Sequence, residues 1–192
     1  MLLARNQQRG DTLIEVILAC AIFAMVTVST FAIMQRASSN TYDAMERSQV
    51  RLLLNGQAEL LQYARDSYVD ALASGASLTS GQAAAWNTVS NAASYNTSAP
   101  NIDACLPNPP ATIPSAYFYI DQGPSSYIVK NGSSISGATG LPEPGKGIWI
   151  QRVDGNGAAS KRYKEFYIMA CWQNTTNGTQ HMSSVVRMYD PN

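Results

Sequence analysis

Gly10-Asp11-Thr12-Leu13-Ile14-Glu15 stands at the head of an unbroken apolar run over residues 16–34, and the ten residues ending at that glycine include Arg5 and Arg9. After Glu15 no ionisable acid or base appears until Arg36. The uncharged stretch is roughly 20 residues, about 30 Å as a helix, which is enough to cross the hydrocarbon core of a bilayer. A carboxylate costs about 2.5–3.5 kcal/mol at the centre of a bilayer and less near its surface, so an acid at the mouth of such a run points to function.

The order of the parts separates this stretch from a secretory signal, whose apolar region precedes the cleavage site and is lost with it. Here the small residue comes first, and a cut after Gly10 would leave the apolar run on the mature protein. A basic leader ending in Gly, then Thr-Leu-Ile-Glu, then an apolar helix resembles the type IV prepilins, including the pseudopilins of secretion and competence systems. Gly10, Thr12, Leu13, Ile14 and Glu15 match the family pattern, while Asp11 stands where the family usually has Phe. The resemblance implies cleavage between Gly10 and Asp11 by a prepilin peptidase, which would expose a new α-amino group at Asp11. It further implies that Glu15 pairs with that amine on a neighbouring subunit during assembly. The partners implied are that peptidase, the pilus assembly machinery and other pilin subunits through helix packing. The localisation implied is the membrane before assembly, with the N-terminus inside, and a surface filament afterwards.

Other readings of the same residues compete. Thr12 and Glu15 also spell a capping box, in which the two side chains satisfy free N–H groups at a helix start. A plain membrane anchor without processing is a second alternative. Arg9-Gly10-Asp11 spells an integrin-binding tripeptide, but it straddles the expected cut and abuts a membrane helix.

The 192 residues carry 13 basic and 13 acidic side chains, and loss of the leader would leave the chain two charges acidic. Nothing in that balance demands nucleic acid. Cys20 lies inside the apolar run as a small apolar residue. Cys105 and Cys171 fall in the part expected outside the cell, where oxidation is allowed, and one disulfide between them is the natural pairing. Their spacing suits neither a zinc site nor a redox Cys-x-x-Cys pair.

Past Arg36 the helical pattern becomes amphipathic, with Met45, Val50, Leu53, Leu54, Gln57, Leu60, Leu61, Ala64 and Tyr68 at three- and four-residue steps. One helix is expected from about residue 12 to about residue 73, closed by Ser74-Gly75, with Gly56 a weak point inside it. Residues 77–114 are rich in Ser, Ala, Asn, Thr and Pro, with a short helix expected around Trp86. From Ala116 the period shortens to two. Strands are expected over 116–120, 126–129, 147–152, 163–172 (the longest) and 184–189, with turns at 122–124, 154–157 and 174–178. The fold class is therefore α+β, a long N-terminal helix packed against a C-terminal antiparallel sheet. The chain divides into leader 1–10, transmembrane or filament-core half-helix 11–35, amphipathic half-helix 36–73, variable loop region 74–115 and sheet 116–192.

Candidate chemistry is sparse. Residues 140–147 nearly spell a phosphate-binding loop, but the final Ser or Thr is missing, two prolines occupy it, and a strand is expected to follow. His181 is the only histidine, expected in a polar turn, and no metal, cofactor or nucleophile–base pair suggests itself. Lys161, Arg162 and Lys164 flank Tyr163 as a small basic cluster that would suit DNA phosphates, or simply a solvated strand start. Asn96, Asn131, Asn174 and Asn177 open Asn-x-Ser/Thr sequences, the acceptor pattern for a glycan. The expected function is structural, a pilus or pseudopilus subunit and not an enzyme. The alternative is a membrane-anchored module that binds a host-cell surface or DNA without polymerising.

Overall fold

The computed structural model describes residues 11–91, 100, 105, 117–123, 127–131, 136–153, 163–174 and 178–189. The chain divides into two compact units, Met1–Met45 and Glu46–Asn192. The first helix, α1, has the bounds Asp11–Ser74. It ends where Gly75 adopts φ +69° and the Ala76 N–H donates to the Ala71 carbonyl at 2.9 Å. That is the left-handed glycine stop, in which the backbone turns back to satisfy a carbonyl the helix leaves open.

In the second unit, Val50, Leu54, Gln57, Leu61, Ala64, Tyr68 and Ala71 of α1 are buried. They alternate in steps of four and three, so one stripe forms the centre of the contact, with Leu53, Ala58 and Leu60 packed partly buried beside it. Met45 departs from the expected face and is 59% exposed. The stripe packs on the inner row of a mainly antiparallel sheet, which supplies Phe118, Ile120, Ile148, Ile150, Phe166, Ile168, Ala170 and Trp172. The strands are β1 Tyr117–Gln122, β2 Tyr127–Asn131, β3 Ala138–Thr139, β4 Glu143–Pro144, β5 Gly147–Val153, β6 Tyr163–Asn174 and β7 Gly178–Tyr189. The fold class is thus α+β, the long N-terminal helix set against a C-terminal sheet.

The expected antiparallel sheet is present, with two short parallel additions, β3 beside β6 and β4 beside β5, over two residues each. Two strand expectations need correction. The closing strand begins at Gly178, equals β6 at 12 residues, and pairs with it from Tyr163↔Tyr189 to Asn174↔Gly178. His181 consequently lies in β7 opposite Cys171, not in a turn. Its polar neighbours hid a strand whose residues are only half covered, and the pairing with β6 decides the matter.

Polar bonds fix α1 to the sheet at intervals. Asn174 donates to Glu46, and Arg47 to Gln180 at 3.1 Å. Arg65 Nε donates to the Tyr189 carbonyl at 3.0 Å. Gln57 is the buried member of the set. Its Nε2 donates to the Ile120 carbonyl at 2.9 Å, and its Oε1 accepts from the Ile120 N–H at 3.0 Å. β1 pairs β5 only at Tyr117 and Phe118, because the Ile148 carbonyl accepts instead from the Gly145 N–H. A side-chain amide from the helix therefore completes the β1 backbone where β5 turns away.

The second helix, α2 Gly81–Ser90, has no basic residue in its last turn. The sheet supplies the missing cations. Arg152 of β5, only 4% exposed, donates to the Val89 carbonyl at 2.9 Å, and Lys164 of β6 donates to the Ser90 carbonyl. Positive charge at a helix C-terminus complements its dipole. Trp86 of α2 is fully buried, with its ring 5.8 Å from that of Phe166.

Replacing Gln57 with Leu keeps the apolar volume but strands two buried backbone groups of Ile120, each worth about 1–3 kcal/mol. Gln57→Leu is expected to lower unfolding stability by about 2–6 kcal/mol. The check is the midpoint and slope of urea unfolding, with an unchanged slope and a lower midpoint as the expected result.

Candidate functional site

The first candidate is the apolar half of α1. Its large side chains from Leu13 to Met34 are exposed, between 56% and 74% each, and the most apolar window has a mean hydropathy of 2.5 with none of it buried. By length and composition this helix could cross a membrane. Its hydroxyls are satisfied internally. Thr27 Oγ1 donates to the Phe23 and Ala24 carbonyls, Ser29 to Met25 and Val26, and Thr30 to Val26, all at 2.7–3.0 Å. Back-bonding of this kind satisfies these three hydroxyls within the helix, as a helix crossing a membrane would require.

Glu15 lies at the start of this surface, exposed, with no partner among the described side chains. Asp11 is the first described residue and lies in α1. Gly10, the leader and the side chains of Asp11 and Thr12 lie outside the described residues, and with them the expected cleavage site and the capping-box bond. Cys20 is a free, exposed thiol on the same helix.

The second candidate is the outer face of the sheet. Cys105 and Cys171 are joined in a disulfide with their Cα atoms 5.6 Å apart. The bridge sits in a second apolar cluster of Tyr117, Trp149, Met169 and Cys171, with Tyr119 and Tyr167 packed against it. Burial raises the pKa of Tyr119, and the Asp121 charge adds to the rise. Burial also raises that of Tyr167, followed by the charge of Glu165 and the hydrogen bond at 3.3 Å that Tyr167 donates to it. Arg187 pairs with Glu165 at 2.9 Å and pulls Tyr167 the other way.

Of the expected basic cluster, Lys161 and Arg162 lie outside the described residues, and Lys164 holds the end of α2. Of the glycan-acceptor asparagines, Asn96 and Asn177 also lie outside, whereas Asn174 is engaged with Glu46. Residues 140–147 form β4 and the turn into β5, with Gly145 and Gly147 at positive φ and no helix following. No cluster of metal ligands is present among the described residues. The sequence reading missed the capping role of Arg152 and Lys164. A basic residue in a strand opposite an uncapped helix end was the only available signal, and it needed the tertiary arrangement to be read.

Two outcomes follow from the outer face. The disulfide closes a loop with a sequence separation of 66. Its reduction is expected to cost up to about 4 kcal/mol by chain-entropy arithmetic, and urea unfolding with and without reductant measures it. The tyrosines set an alkaline limit. The folded protein holds both protons above the ordinary value of about 10, while the unfolded chain releases them there. Their contribution is therefore fully present below about pH 10 and is lost as pH rises through the folded values. The melting temperature should fall from about pH 10 upward, and less steeply in Tyr167→Phe. Late ionisation seen by ultraviolet absorbance identifies the two groups.

In comparisons with known proteins, the chain matches no family model, no curated protein and no solved structure.

Proposed function

We propose that the chain is a type IV pilin-like structural subunit, processed after Gly10 and assembled into a surface pilus or pseudopilus through its N-terminal helix. One observation carries this reading. The leader, Gly10 and Thr-Leu-Ile-Glu run directly into an apolar helix that is exposed along its length. A surface of that size suits lipid first and other apolar helices afterwards. Glu15 then meets the α-amino group that cleavage creates at Asp11 of a neighbour. An unpaired carboxylate in a packed apolar core is costly, and pairing with the amine offsets much of that cost. In the anchored-module alternative the helix never leaves the membrane, Glu15 caps its own helix, and no filament forms.

The test uses the full chain in its producing cell. Intact mass of the mature protein is expected to begin at Asp11, and protein still beginning at Met1 would end the processing reading. Glu15→Ala should be processed and membrane-inserted like the wild type. Its ratio of filament-borne to membrane-borne subunit should fall at least about tenfold, because an unpaired buried charge costs several kcal/mol. Glu15→Asp should be intermediate, since its shorter side chain reaches less far. Equal assembly of Glu15→Ala and wild type would remove the pairing role.

A further inference from the structure

Gly56 is the one glycine inside α1, and the chain offers no internal reason for it. Its φ is not in the left-handed region. A Cβ built there would meet nothing within 4 Å, so no neighbouring backbone requires its absence. Alanine would fit and would strengthen the helix. What Gly56 leaves is an open notch in a groove of about 650 Å³, walled by Leu52, Glu59, Leu60 and Tyr63 of α1 and by Gln122 and Pro144 of the sheet. Leu52 and Tyr63 stand 68% and 52% exposed at its sides. Among the described residues, the charged side chains lining it are Glu59 and Asp66. Asp66 already takes Arg65 at 2.9 Å, whereas Glu59 has no partner among the described residues.

We propose that this groove is a docking site for a second copy of the chain, which inserts its Met34–Tyr42 stretch at Gly56 and sets its Arg36 against Glu59. Arg36 is the first charge after the apolar run, exposed and without a described partner. Met34 and Tyr42 flank it at 68% and 71% exposure, large side chains suited to a notch. Once apolar helices pack together, an unpaired guanidinium among them is costly, and an acid at the groove wall relieves it. The groove and the segment that fills it are different surfaces of one molecule. The contact is therefore heterologous and propagates from copy to copy instead of closing as a dimer. The inference rests on the assembly reading given above and names the surface that follows the Glu15 contact along the helix.

The experiment measures sheared filaments, the membrane pool and thermal unfolding for three variants of the full chain. Gly56→Leu fills the notch in open space. It should reduce filament-borne subunit at least about tenfold, the loss expected from closing a buried interface pocket, while the membrane pool stays at wild-type level and the melting temperature holds or rises. Glu59→Arg should show a similar loss, and Arg36→Glu added to it should restore assembly by exchanging the two charges. Filaments at wild-type level in Gly56→Leu and Glu59→Arg would overturn the groove while leaving the assembly reading intact, as would failure of Arg36→Glu to rescue Glu59→Arg. A wild type that sheds no filaments would overturn both.

Discussion

The amide of Gln57 is bonded on both sides to the backbone of one residue, Ile120, at 2.9 and 3.0 Å. Both partners lie in the interior, where water is excluded and an unmade hydrogen bond carries its full desolvation cost. That pair sets the register of helix against sheet. A shift of α1 by one residue would move Gln57 off the strand and also turn its stripe of Val50, Leu54, Leu61, Ala64 and Tyr68 off the inner row. Apolar burial supplies most of the attraction, but it is tolerant of sliding. The amide pair is not, because hydrogen bonds are directional.

Other parts of the second unit hang on the same arrangement. With the helix in place, β5 is free to leave β1 early, and its Ile148 carbonyl turns to Gly145. Gly145 has no room for a side chain, since a Cβ there would lie 2.5 Å from the Tyr119 ring. At the other end of β5, Arg152 reaches the carbonyl end of α2 and Lys164 joins it from β6. The sheet thus carries a helix on its inner side and cationic caps for a second helix at its margin. On the outer face the Cys105–Cys171 bridge ties Cys105 to β6 within a second apolar cluster.

The proposed function draws on a contrast between two surfaces. Between Glu46 and Ser74, α1 turns most of its apolar residues to the core, leaving Leu52, Tyr63 and Leu72 exposed. From Leu13 to Met34 its apolar residues face every direction and are exposed. A helix that is apolar all round belongs in lipid or in a bundle of its own kind. Glu15 and Arg36 bound that stretch, and each is a charge whose energetic standing depends on what surrounds it after packing.

By itself, the sequence determined the elements with a strong local signal. The apolar run, the three- and four-residue steps from Val50 onward and the Ser74-Gly75 stop define α1 to within a residue of its observed ends. The short period after Ala116 marks β1, β2, β5 and β6, and the placing of Cys105 and Cys171 indicated their bond. All of these depend on neighbours in the chain or on the compartment. Tertiary structure alone decided the rest. β3 and β4 are two residues long and exist only because β6 and β5 offer open backbone beside them. The first half of β7, with His181 in it, is too polar to read as a strand without its partner. Gln57 appeared as one more member of an amphipathic face, and its role emerged only where β5 leaves β1. Lys164 read as part of a solvated strand start and Arg152 as one more strand residue, until a helix end from elsewhere in the chain was brought to them. Each of these is a contact between residues far apart in sequence, and local pattern carries no information about which distant group will arrive.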